Sequence, residues 1–567
     1  MKKIDILSAL FSISFILAVF FNPLYSQNIY EGILLDTVKA GEFDNGKMWT
    51  FNHPPLDYFK SVYNFHPDKN WLDNVRMAAL KFATYCSASF ISEDGLVLTN
   101  HHCGRDAVIS VTKTDENLSV NGFYAAALED ERKVPNLFVD QLIEIIDVTD
   151  IVQKEIDKGG NDVEKMELKD TKGDELVKQF EEQLNLKCEF VTLYNGGEYC
   201  IYAYKRYDDV RLVFAPENQI GFFGGDYDNF TYPRYNLDIT FFRVYDNNQP
   251  LKTEHFYKWS ITGIDSGDVV FVVGNPGSTQ RLKTVAELEL LRDQTYPSYL
   301  SMLNFYLKMT EAMNPQTEQE RIEQENQYFE IQNSLKAISG FLKALNNPYF
   351  MAKKKAFERD LTNKVNSDTK LKQKYGNLWN DIKDIIKNKS EDENYQKKLD
   401  AKNRLLGKLV FEIYGPKIPP DATFTLRIAD GVVSSYDFNG TVAPVFTTFY
   451  GLYDKYYGFK KKYPFSLPEK WQNPPADLLL ETPFNFISTN DIVGGNSGSP
   501  VINKNAEIIG LAFDGNIESL SSDFIYSTEN NRMVGVDCRG ILASLKYIYN
   551  AERLFKEMEK GKIDGNN

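Results

Sequence analysis

Three separated segments carry side chains whose types match the chemistry of a serine nucleophile. His102 lies in Thr-Asn-His-His-Cys-Gly, Asp238 stands at the head of an apolar run, and Ser497 lies in Gly-Gly-Asn-Ser-Gly-Ser-Pro. A hydroxyl is a poor nucleophile at neutral pH, so an imidazole must accept its proton and a carboxylate must orient that imidazole. The sequence therefore predicts His102 as the general base, Asp238 as the orienting carboxylate and Ser497 as the nucleophile.

The glycines around Ser497 meet a second requirement, which is a set of backbone donors for the oxyanion. The N–H groups of Gly495 and Ser497 are the expected pair. Taken singly, each segment has an ordinary interpretation, as a packed core histidine, a solvated aspartate or a glycine-rich turn. The run His101-His102-Cys103 also suggests a metal site, but neighbouring strand residues point to opposite faces, so one ion cannot easily bind both histidines. We therefore expect no metal and no other cofactor. In the chain order His, Asp, Ser the three segments together favour acyl transfer.

The elements that must position these segments are mostly short strands. Short β runs separated by turn residues continue to about residue 274, and the β pattern returns beyond residue 423. In between, Gly and Pro are scarce and apolar residues recur at helical spacing, as they do from Tyr328 to Leu345 and from Leu378 to Ile386. The charged stretch 141–185 also has a helical pattern. We expect a mainly β protein with an α insertion, divided into a first β part over 27–280, a helical domain over 281–414 and a second β part over 415–567.

Composition and the first residues narrow the partner and the compartment. The 567 residues include 64 Lys plus Arg and 79 Asp plus Glu, a formal net charge of −15 without a basic tract, which argues against nucleic acid as a partner. Lys2 and Lys3, followed by an apolar run to Phe21, predict a signal peptide over 1–26. An uncleaved anchor is the alternative, although the run is shorter than the roughly 20 residues that span a bilayer. We therefore expect an exported protein, in the periplasm or else secreted or at the cell surface, with no membrane segment in its mature form.

Export permits disulfides, and the chain has five cysteines. Cys86 and Cys103 bracket a hairpin with an Asp-Gly turn, and Cys188 and Cys200 flank Asn-Gly-Gly in a second hairpin. We expect a disulfide in each hairpin and a buried, unpaired Cys538. A chain in which all thiols are free is the alternative, because pairing cannot be derived from sequence alone.

The histidine and serine motifs resemble those of chymotrypsin-fold serine peptidases. The chain is more closely similar to the bacterial dipeptidyl peptidases 7 and 11, family 46 of the serine peptidases. This resemblance also rests on residues 223–234 (Phe-Gly-Gly-Asp-Tyr-Asp-Asn-Phe-Thr-Tyr-Pro-Arg), 274–279, 420–427 and 510–516. It implies a chymotrypsin-like double β-barrel with an inserted α-helical domain, the release of dipeptides from peptides with a free N-terminus, and a possible homodimer.

By the same resemblance, the α-amino group of the substrate is bound by Asn229 and Asp514, with Phe230 in a position where the family usually has Trp. Asn333 is a further match from the helical domain. Gly515 matches the position where acidic-specific members carry Arg, so we expect an apolar or broad preference for the residue before the cleaved bond. Two alternatives stay open: a serine endopeptidase on the same scaffold, and a non-catalytic binding protein with a degenerate peptidase fold.

Overall fold

Two large, largely antiparallel sheets and a long run of helices make up the fold. The computed structural model describes residues 34–563, so the predicted signal peptide over 1–26 lies outside the described residues. Within this part of the chain, no helix is both long enough and apolar enough to cross a membrane.

The first sheet carries the histidine and aspartate segments. Its centre is the hairpin predicted from the Asp-Gly turn, in which Ser89 pairs with Leu98 and Phe90 with Val97. Gly95 turns the chain at φ +69°, a conformation that glycine adopts without strain. Among residues 34–563 this sheet has eleven strands: Ala79–Phe82, Cys86–Phe90, Leu96–Thr99, Phe123–Tyr124, Arg132–Lys133, Val139–Asp147, Lys187–Leu193, Glu198–Tyr207, Val210–Ala215, Thr240–Asp246 and Gln249–Pro250.

The second sheet carries the serine segment. The strand that follows Ser497 lies in its middle, paired with Val269–Gly274 on one side and Glu507–Gly515 on the other. The described part of the chain gives this sheet nine strands: Met48–Thr50, Lys258–Trp259, Val269–Gly274, Arg427–Val432, Phe446–Thr448, Pro483–Ser488, Pro500–Ile502, Glu507–Gly515 and Met533–Asp537. A separate two-stranded ribbon joins Asp437–Phe438 and Thr441–Val442.

The strand pairing of the described residues leaves both sheets open, because neither strand order returns to its first strand. The double β-barrel that we expected is therefore not confirmed, and the fold is mixed α/β with two large sheets. One apolar core is shared by both sheets, with Leu98 and Phe241 from the first sheet and Phe271 and Leu511 from the second. This shared core fixes the two sheets against each other, so it also fixes the segments they carry.

The helices concentrate between the strands Val269–Gly274 and Arg427–Val432, where the sequence predicts a helical block. The apolar stripe from Tyr328 to Leu345 lies in a single helix, Glu318–Asn346, which we call the long helix. The domain boundaries stay a prediction. The α-helices are Leu56–Tyr63, Lys69–Ala78, His101–Ser110, Leu118–Asn121, Thr149–Ile156, Asp162–Leu184, Asn218–Gly221, Gly225–Asp228, Val285–Leu290, Tyr296–Glu311, Glu318–Asn346, Pro348–Ser367, Thr369–Tyr375, Leu378–Lys387, Tyr395–Tyr414, Phe449–Gly458, Cys538–Ala543 and Glu552–Lys560.

The charged stretch 141–185 is only partly helical. Its first residues belong to the strand Val139–Asp147, and the helices Thr149–Ile156 and Asp162–Leu184 follow. The strand pairs along its whole length with Glu198–Tyr207. Isoleucines dominate the segment Leu-Ile-Glu-Ile-Ile, and β-branched residues of this kind pack well in a strand that has a partner.

One of the two expected disulfides forms. Cys86 and Cys103 are bonded, with their Cα atoms 6.2 Å apart. Cys188 and Cys200 are free and buried, so the second predicted disulfide is wrong. Cys188 pairs in register with Ala203, three residues beyond Cys200. Because successive strand residues alternate between faces, the two thiols point to opposite sides of the sheet. Cys538 is buried and unpaired, as expected.

Candidate active site

Strand pairing brings the predicted histidine and aspartate together. Thr99 lies opposite Thr240, so the chain just after Thr99 meets the chain just before Thr240. His102 lies in the first turn of the helix His101–Ser110, which we call the histidine helix. The Nδ1 atom of His102 is 2.7 Å from Oδ2 of Asp238, and the backbone N–H of His102 donates to Oδ1 of Asp238 at 3.0 Å. The carboxylate therefore fixes both the ring and the backbone of His102.

The carboxylate of Asp238 is buried, with 5% of its side chain exposed. Burial by itself raises the pKa of Asp238, but the charge and hydrogen bonds of His102, with a smaller effect of His101, hold it below its usual value. Asp238 is thus ionised at neutral pH. An ionised carboxylate on Nδ1 keeps the ring proton there, which leaves Nε2 free to accept a proton.

His101 does not take part in this pair. The two histidines begin a helix rather than ending a strand, so the prediction that they lie on opposite faces of a strand is wrong, although His101 does face away from the pair. Its Nε2 atom lies 2.8 Å from Oδ1 of Asn218, and burial lowers the pKa of His101 to about 4. In the described part of the chain, one cluster has the spacing of metal ligands, namely Cys86, His102 and Cys103. Both sulfur atoms are joined in the disulfide, so neither is a thiolate ligand.

Ser87 connects the predicted nucleophile to the first sheet. Its backbone N–H donates to the carbonyl of Ser497 at 2.8 Å, and its hydroxyl donates to the carbonyl of Gly495 at 2.9 Å. The same hydroxyl accepts the N–H of Asn275 at 2.8 Å. Ser87 follows Cys86, whose disulfide holds the histidine helix. One short strand therefore positions the serine loop, residues 491–499, against the helix that carries His102.

The backbone around Gly495 is suited to an oxyanion. Gly495 has φ +96°, and a Cβ atom there would lie 2.6 Å from the carbonyl of Asn275 and 2.7 Å from the N–H of Gly277. Only glycine fits this close approach. The N–H groups of Gly495 and Ser497 donate to no other residue in the described part of the chain. Both donors are therefore available to a developing negative charge.

The remaining predicted residues share one cavity with the histidine, aspartate and serine. It has a volume of about 740 Å³. The hydroxyl of Ser497 makes no hydrogen bond within residues 34–563, so the structure places Ser497 and His102 in one cavity without a direct hydrogen bond between them. Such contacts often tighten only when substrate binds. The predicted residues that line the cavity are His102, Asn229, Phe230, Asp238, Asn333, Ser497, Asp514 and Gly515.

The residues predicted to bind an amine do come together. Nδ2 of Asn229 donates to Oδ1 of Asn333 at 3.0 Å, which links the first sheet's loop to the long helix. The backbone N–H of Phe230 donates to Oδ2 of Asp514 at 3.1 Å. Phe230 has φ +56°, an uncommon conformation for an aromatic residue that is typical of constrained functional segments. The loop is thus held in position by contacts from two other parts of the chain.

Arg234, which binds Asp514, is a site residue that the sequence does not predict. The guanidinium of Arg234 forms a buried ion pair with Oδ2 of Asp514, and only 2% of the Arg234 side chain is exposed. Arg234 ends the same motif as Asn229, but no local pattern pairs it with a residue 280 positions away. Ser87 was missed for the same reason. Arg105 also lines the cavity. Its position three residues after His102 places the two side chains on one face only if the segment is known to be a helix.

Two further aspartates are buried in this region, one at the start of the serine loop and one in the cavity lining. Asp491, six residues before Ser497, is buried and accepts two hydrogen bonds from Arg281 at 2.6 and 2.7 Å. Asp523 lines the cavity and accepts a hydrogen bond from Nε2 of Gln280 at 2.8 Å. Burial raises the pKa of Asp523 to about 6. Asp491 is therefore neutralised by a cation, whereas Asp523 is not.

Comparison with known proteins places the chain in a family. A family model described as Peptidase S46 matches residues 43–395 and 387–560. The chain is 26% identical over 659 residues to dipeptidyl-peptidase 7 of Phocaeicola vulgatus, an alignment that covers 84% of this chain and 90% of that protein. It is 25% identical over 686 residues to an Asp/Glu-specific dipeptidyl-peptidase of Shewanella putrefaciens, covering 86% of this chain and 93% of that protein.

A solved structure has the same fold. The crystal structure of Porphyromonas endodontalis DPP11 in complex with the dipeptide Arg-Asp superposes with a TM-score of 0.78 at 20% identity, covering 91% of this chain and 99% of that one. The family model spans both sheets and the helices between them. The chain therefore belongs to the peptidase S46 family, and it is a serine hydrolase of the dipeptidyl-peptidase type.

Proposed function

We propose that this protein is an exported serine exopeptidase that removes dipeptides from peptides with a free N-terminus. One observation carries the proposal: the bonded pair of His102 and Asp238 shares a single cavity with Ser497 and with the candidate amine-binding residues Asn229 and Asp514. The names of the relatives, which are dipeptidyl-peptidases, support it. The proposal also includes a chymotrypsin-like arrangement, in which two β units meet at the active site.

In the proposed reaction Ser497 attacks the carbonyl of the second residue of the peptide. Nε2 of His102 takes the hydroxyl proton as the bond from Oγ to carbon forms, and Asp238 stabilises the resulting imidazolium. The N–H groups of Gly495 and Ser497 bind the oxyanion. His102 then gives its proton to the leaving amine, which departs with the rest of the peptide. A water molecule deprotonated by His102 hydrolyses the acyl-enzyme and releases the dipeptide.

The amine end of the cavity accounts for the length of the product. Amide oxygens of Asn229 and Asn333 and the carboxylate of Asp514 are suitable acceptors for an ammonium group. Since Arg234 already neutralises Asp514, the ammonium group and Arg234 would both bind this carboxylate. Two extended residues span roughly 7 Å, which sets the distance from the bound amine to the cleaved bond.

The preference for the second residue follows from the wall of the cavity around Gly515. Ser519 lies directly against Gly515, and Leu520 and Asp523 line the same cavity; none of these three offers a cation to an acidic side chain. An ionised Asp523 repels a substrate carboxylate. We propose an apolar or broad preference, which separates this protein from relatives named Asp/Glu-specific. Fluorogenic dipeptides that differ only in the second residue, such as Gly-Phe, Gly-Leu and Gly-Asp, test it; fastest cleavage of Gly-Asp would contradict it.

The decisive experiment is mass spectrometry of products from a mixed peptide library with free and with acetylated N-termini. We expect dipeptides from the free peptides only. Equal cleavage of acetylated peptides would establish the endopeptidase alternative instead. Folded Ser497→Ala protein should be inactive, and labelling of Ser497 by a fluorophosphonate in the native protein excludes a non-catalytic binding protein. An unchanged rate in Ser497→Ala would refute the assignment of the nucleophile.

Export to the periplasm and a homodimer are parts of the proposal that rest on the sequence and on the family resemblance. Export requires removal of the predicted signal peptide, so N-terminal sequencing of the protein from its native cells should begin at Gln27. Recovery of a cytosolic protein that retains residues 1–26 would contradict export. Sedimentation of the purified protein gives the oligomeric state directly, and a monomer at micromolar concentration would contradict the dimer.

A further inference from the structure

A second cation lies in the cavity beside His102 and has no carboxylate bound to it. Arg105 follows His102 by three residues on the histidine helix and lines the cavity. Among residues 34–563 it forms no ion pair. Its Nη1 atom is 3.4 Å from Oδ1 of Asn326, and the guanidinium lies 5.9 Å from the ring centre of Phe329. Its Nε atom is buried without an acceptor. Most of the donors of this guanidinium are thus free.

The charge of Arg105 is poorly compensated. Burial lowers its pKa, while Asp238, Asp106 and Glu330 act in the opposite direction from a distance. Asp238 is committed to His102, and the side chains of Asp106 and Glu330 are exposed. A partly buried cation with unused donors is costly unless a ligand supplies the acceptors. The planar guanidinium fits one chemical group in particular, since it matches the two oxygens of a carboxylate.

The position of Arg105 along the cleft defines which part of a peptide it can meet. Asn326, which Arg105 contacts, lies seven residues before Asn333 on the long helix, a rise of about 10 Å. Asn333 marks the proposed amine end. An extended tripeptide spans roughly 10 Å. His102 must also deliver a proton to the leaving amine, so the leaving part of the peptide lies on the histidine side of the cleft.

We propose that Arg105 forms a carboxylate-binding subsite beside the histidine, and that it binds a carboxylate on the leaving side of the cleaved bond. The span of the cleft favours the C-terminal carboxylate of a tripeptide; an acidic side chain on the third residue presents the same group. This inference rests on the proposed function. The enzyme would then prefer tripeptides among short peptides, because a tripeptide would be bound at both of its charged ends.

Two pairs of peptides test the subsite and distinguish the sources of the carboxylate. The first pair is Gly-Phe-Ala with a free C-terminus and the same tripeptide as its amide. The second pair is Gly-Phe-Glu-Ala amide and Gly-Phe-Gln-Ala amide. We expect kcat/KM to be about tenfold higher for the charged member of at least one pair, the value typical of one charge-assisted hydrogen bond. Arg105→Met should reduce that ratio to about one, and Arg105→Lys should retain part of it.

Two control variants separate the subsite from general electrostatics. Lys113→Met removes an exposed cation that lies three residues beyond the histidine helix and outside the cavity lining, and it should leave the ratios as in the native protein. Glu330→Gln removes an exposed carboxylate that lines the same cavity as Arg105, and it should keep or raise the ratios. A ratio near one for both pairs in the native protein overturns the inference, as does a ratio that Arg105→Met does not change.

Binding to Ser497→Ala measures the same selectivity without catalysis. Calorimetric titration with Gly-Phe-Ala should give a dissociation constant about tenfold lower than titration with its amide, and equal constants overturn the subsite. Failure of the native protein to cleave any of these peptides refutes the proposed function and leaves this binding result as the test of Arg105. Cleavage of all four at equal rates refutes the subsite alone.

Discussion

Replacing Asp238 by Asn tests whether its carboxylate fixes the tautomer of His102. Asp238 accepts two hydrogen bonds, from Nδ1–H and from the backbone N–H of His102. An amide has one oxygen and can accept only one of them. If that oxygen takes the backbone N–H, the amide NH₂ faces Nδ1 and moves the ring proton to Nε2. His102 then has no lone pair for the proton of Ser497.

The alternative arrangement of the Asn side chain would keep the correct tautomer, but it brings the NH₂ group against the backbone N–H of His102. A buried N–H left without an acceptor costs about 1 to 3 kcal/mol, so the wrong tautomer should dominate. We expect kcat to fall about 10⁴-fold, the size of loss known for such a change in a Ser-His-Asp site, which corresponds to about 5.5 kcal/mol of activation free energy.

The assay is steady-state cleavage of a fluorogenic dipeptide, with KM and kcat measured separately. KM should change little because Asp238 is not expected to contact the substrate. The rate of fluorophosphonate labelling of Ser497 should fall in parallel with kcat. Asp140→Asn is the matched control, since Asp140 is a buried carboxylate bonded to Arg206 at 2.8 and 2.7 Å and does not line the cavity. A loss in kcat below tenfold in folded Asp238→Asn, or a loss confined to KM, would refute the reasoning.

Three further variants test how the site is supported. Arg281→Met leaves Asp491 as an unpaired buried charge, so denaturant titration should show a loss of about 3 to 5 kcal/mol in unfolding free energy. Cys86→Ser opens the loop of 17 residues to Cys103 and should cost about 3 kcal/mol, a loss that reduction of the native protein should reproduce. Asp523 has its pKa raised to about 6, so it stabilises the fold below the unfolded value of 3.8 and loses this contribution as pH rises through 6. The unfolding free energy of Asp523→Asn, relative to that of the native protein, should therefore rise by up to about 3 kcal/mol between pH 4 and pH 7. A difference in unfolding free energy that does not change with pH would contradict this.

The sequence predicts well the features that depend on neighbouring residues. The Asp-Gly turn gives the hairpin before His102, and the apolar stripe from Tyr328 to Leu345 gives the long helix. The pairing of His102 with Asp238 can also be predicted from sequence, because it requires only that two strands are adjacent and that a carboxylate orients the imidazole. In these cases the physical cause, either a turn or a side-chain period, lies within a few residues of its effect.

The features that the sequence does not predict depend on register or on contacts between distant segments. The expected bond between Cys188 and Cys200 fails because the strands pair with an offset of three residues, which turns one thiol to the other face. The ion pair of Arg234 with Asp514 joins residues 280 positions apart, and no local periodicity records it. The same holds for Ser87, whose role depends on how two sheets pack rather than on either strand alone.

These distant contacts decide which charges of the cavity remain for a substrate. Arg234 neutralises Asp514, so the proposed amine end is polar but carries no net charge of its own. Arg105, Asp523 and the exposed Glu330 line the same cavity and form no ion pair in the described part of the chain. Arg105 follows His102 by one helical turn, whereas Asp523 lies eight residues beyond Gly515 in the cavity lining. The two proposals together predict that a peptide is selected twice, for a carboxylate on the leaving side and against a carboxylate before the cleaved bond. A peptide that has neither preferred feature, with Asp in the second position and a C-terminal amide, should be the poorest substrate of a matched set. A high rate of cleavage of this peptide would contradict this distribution of charge.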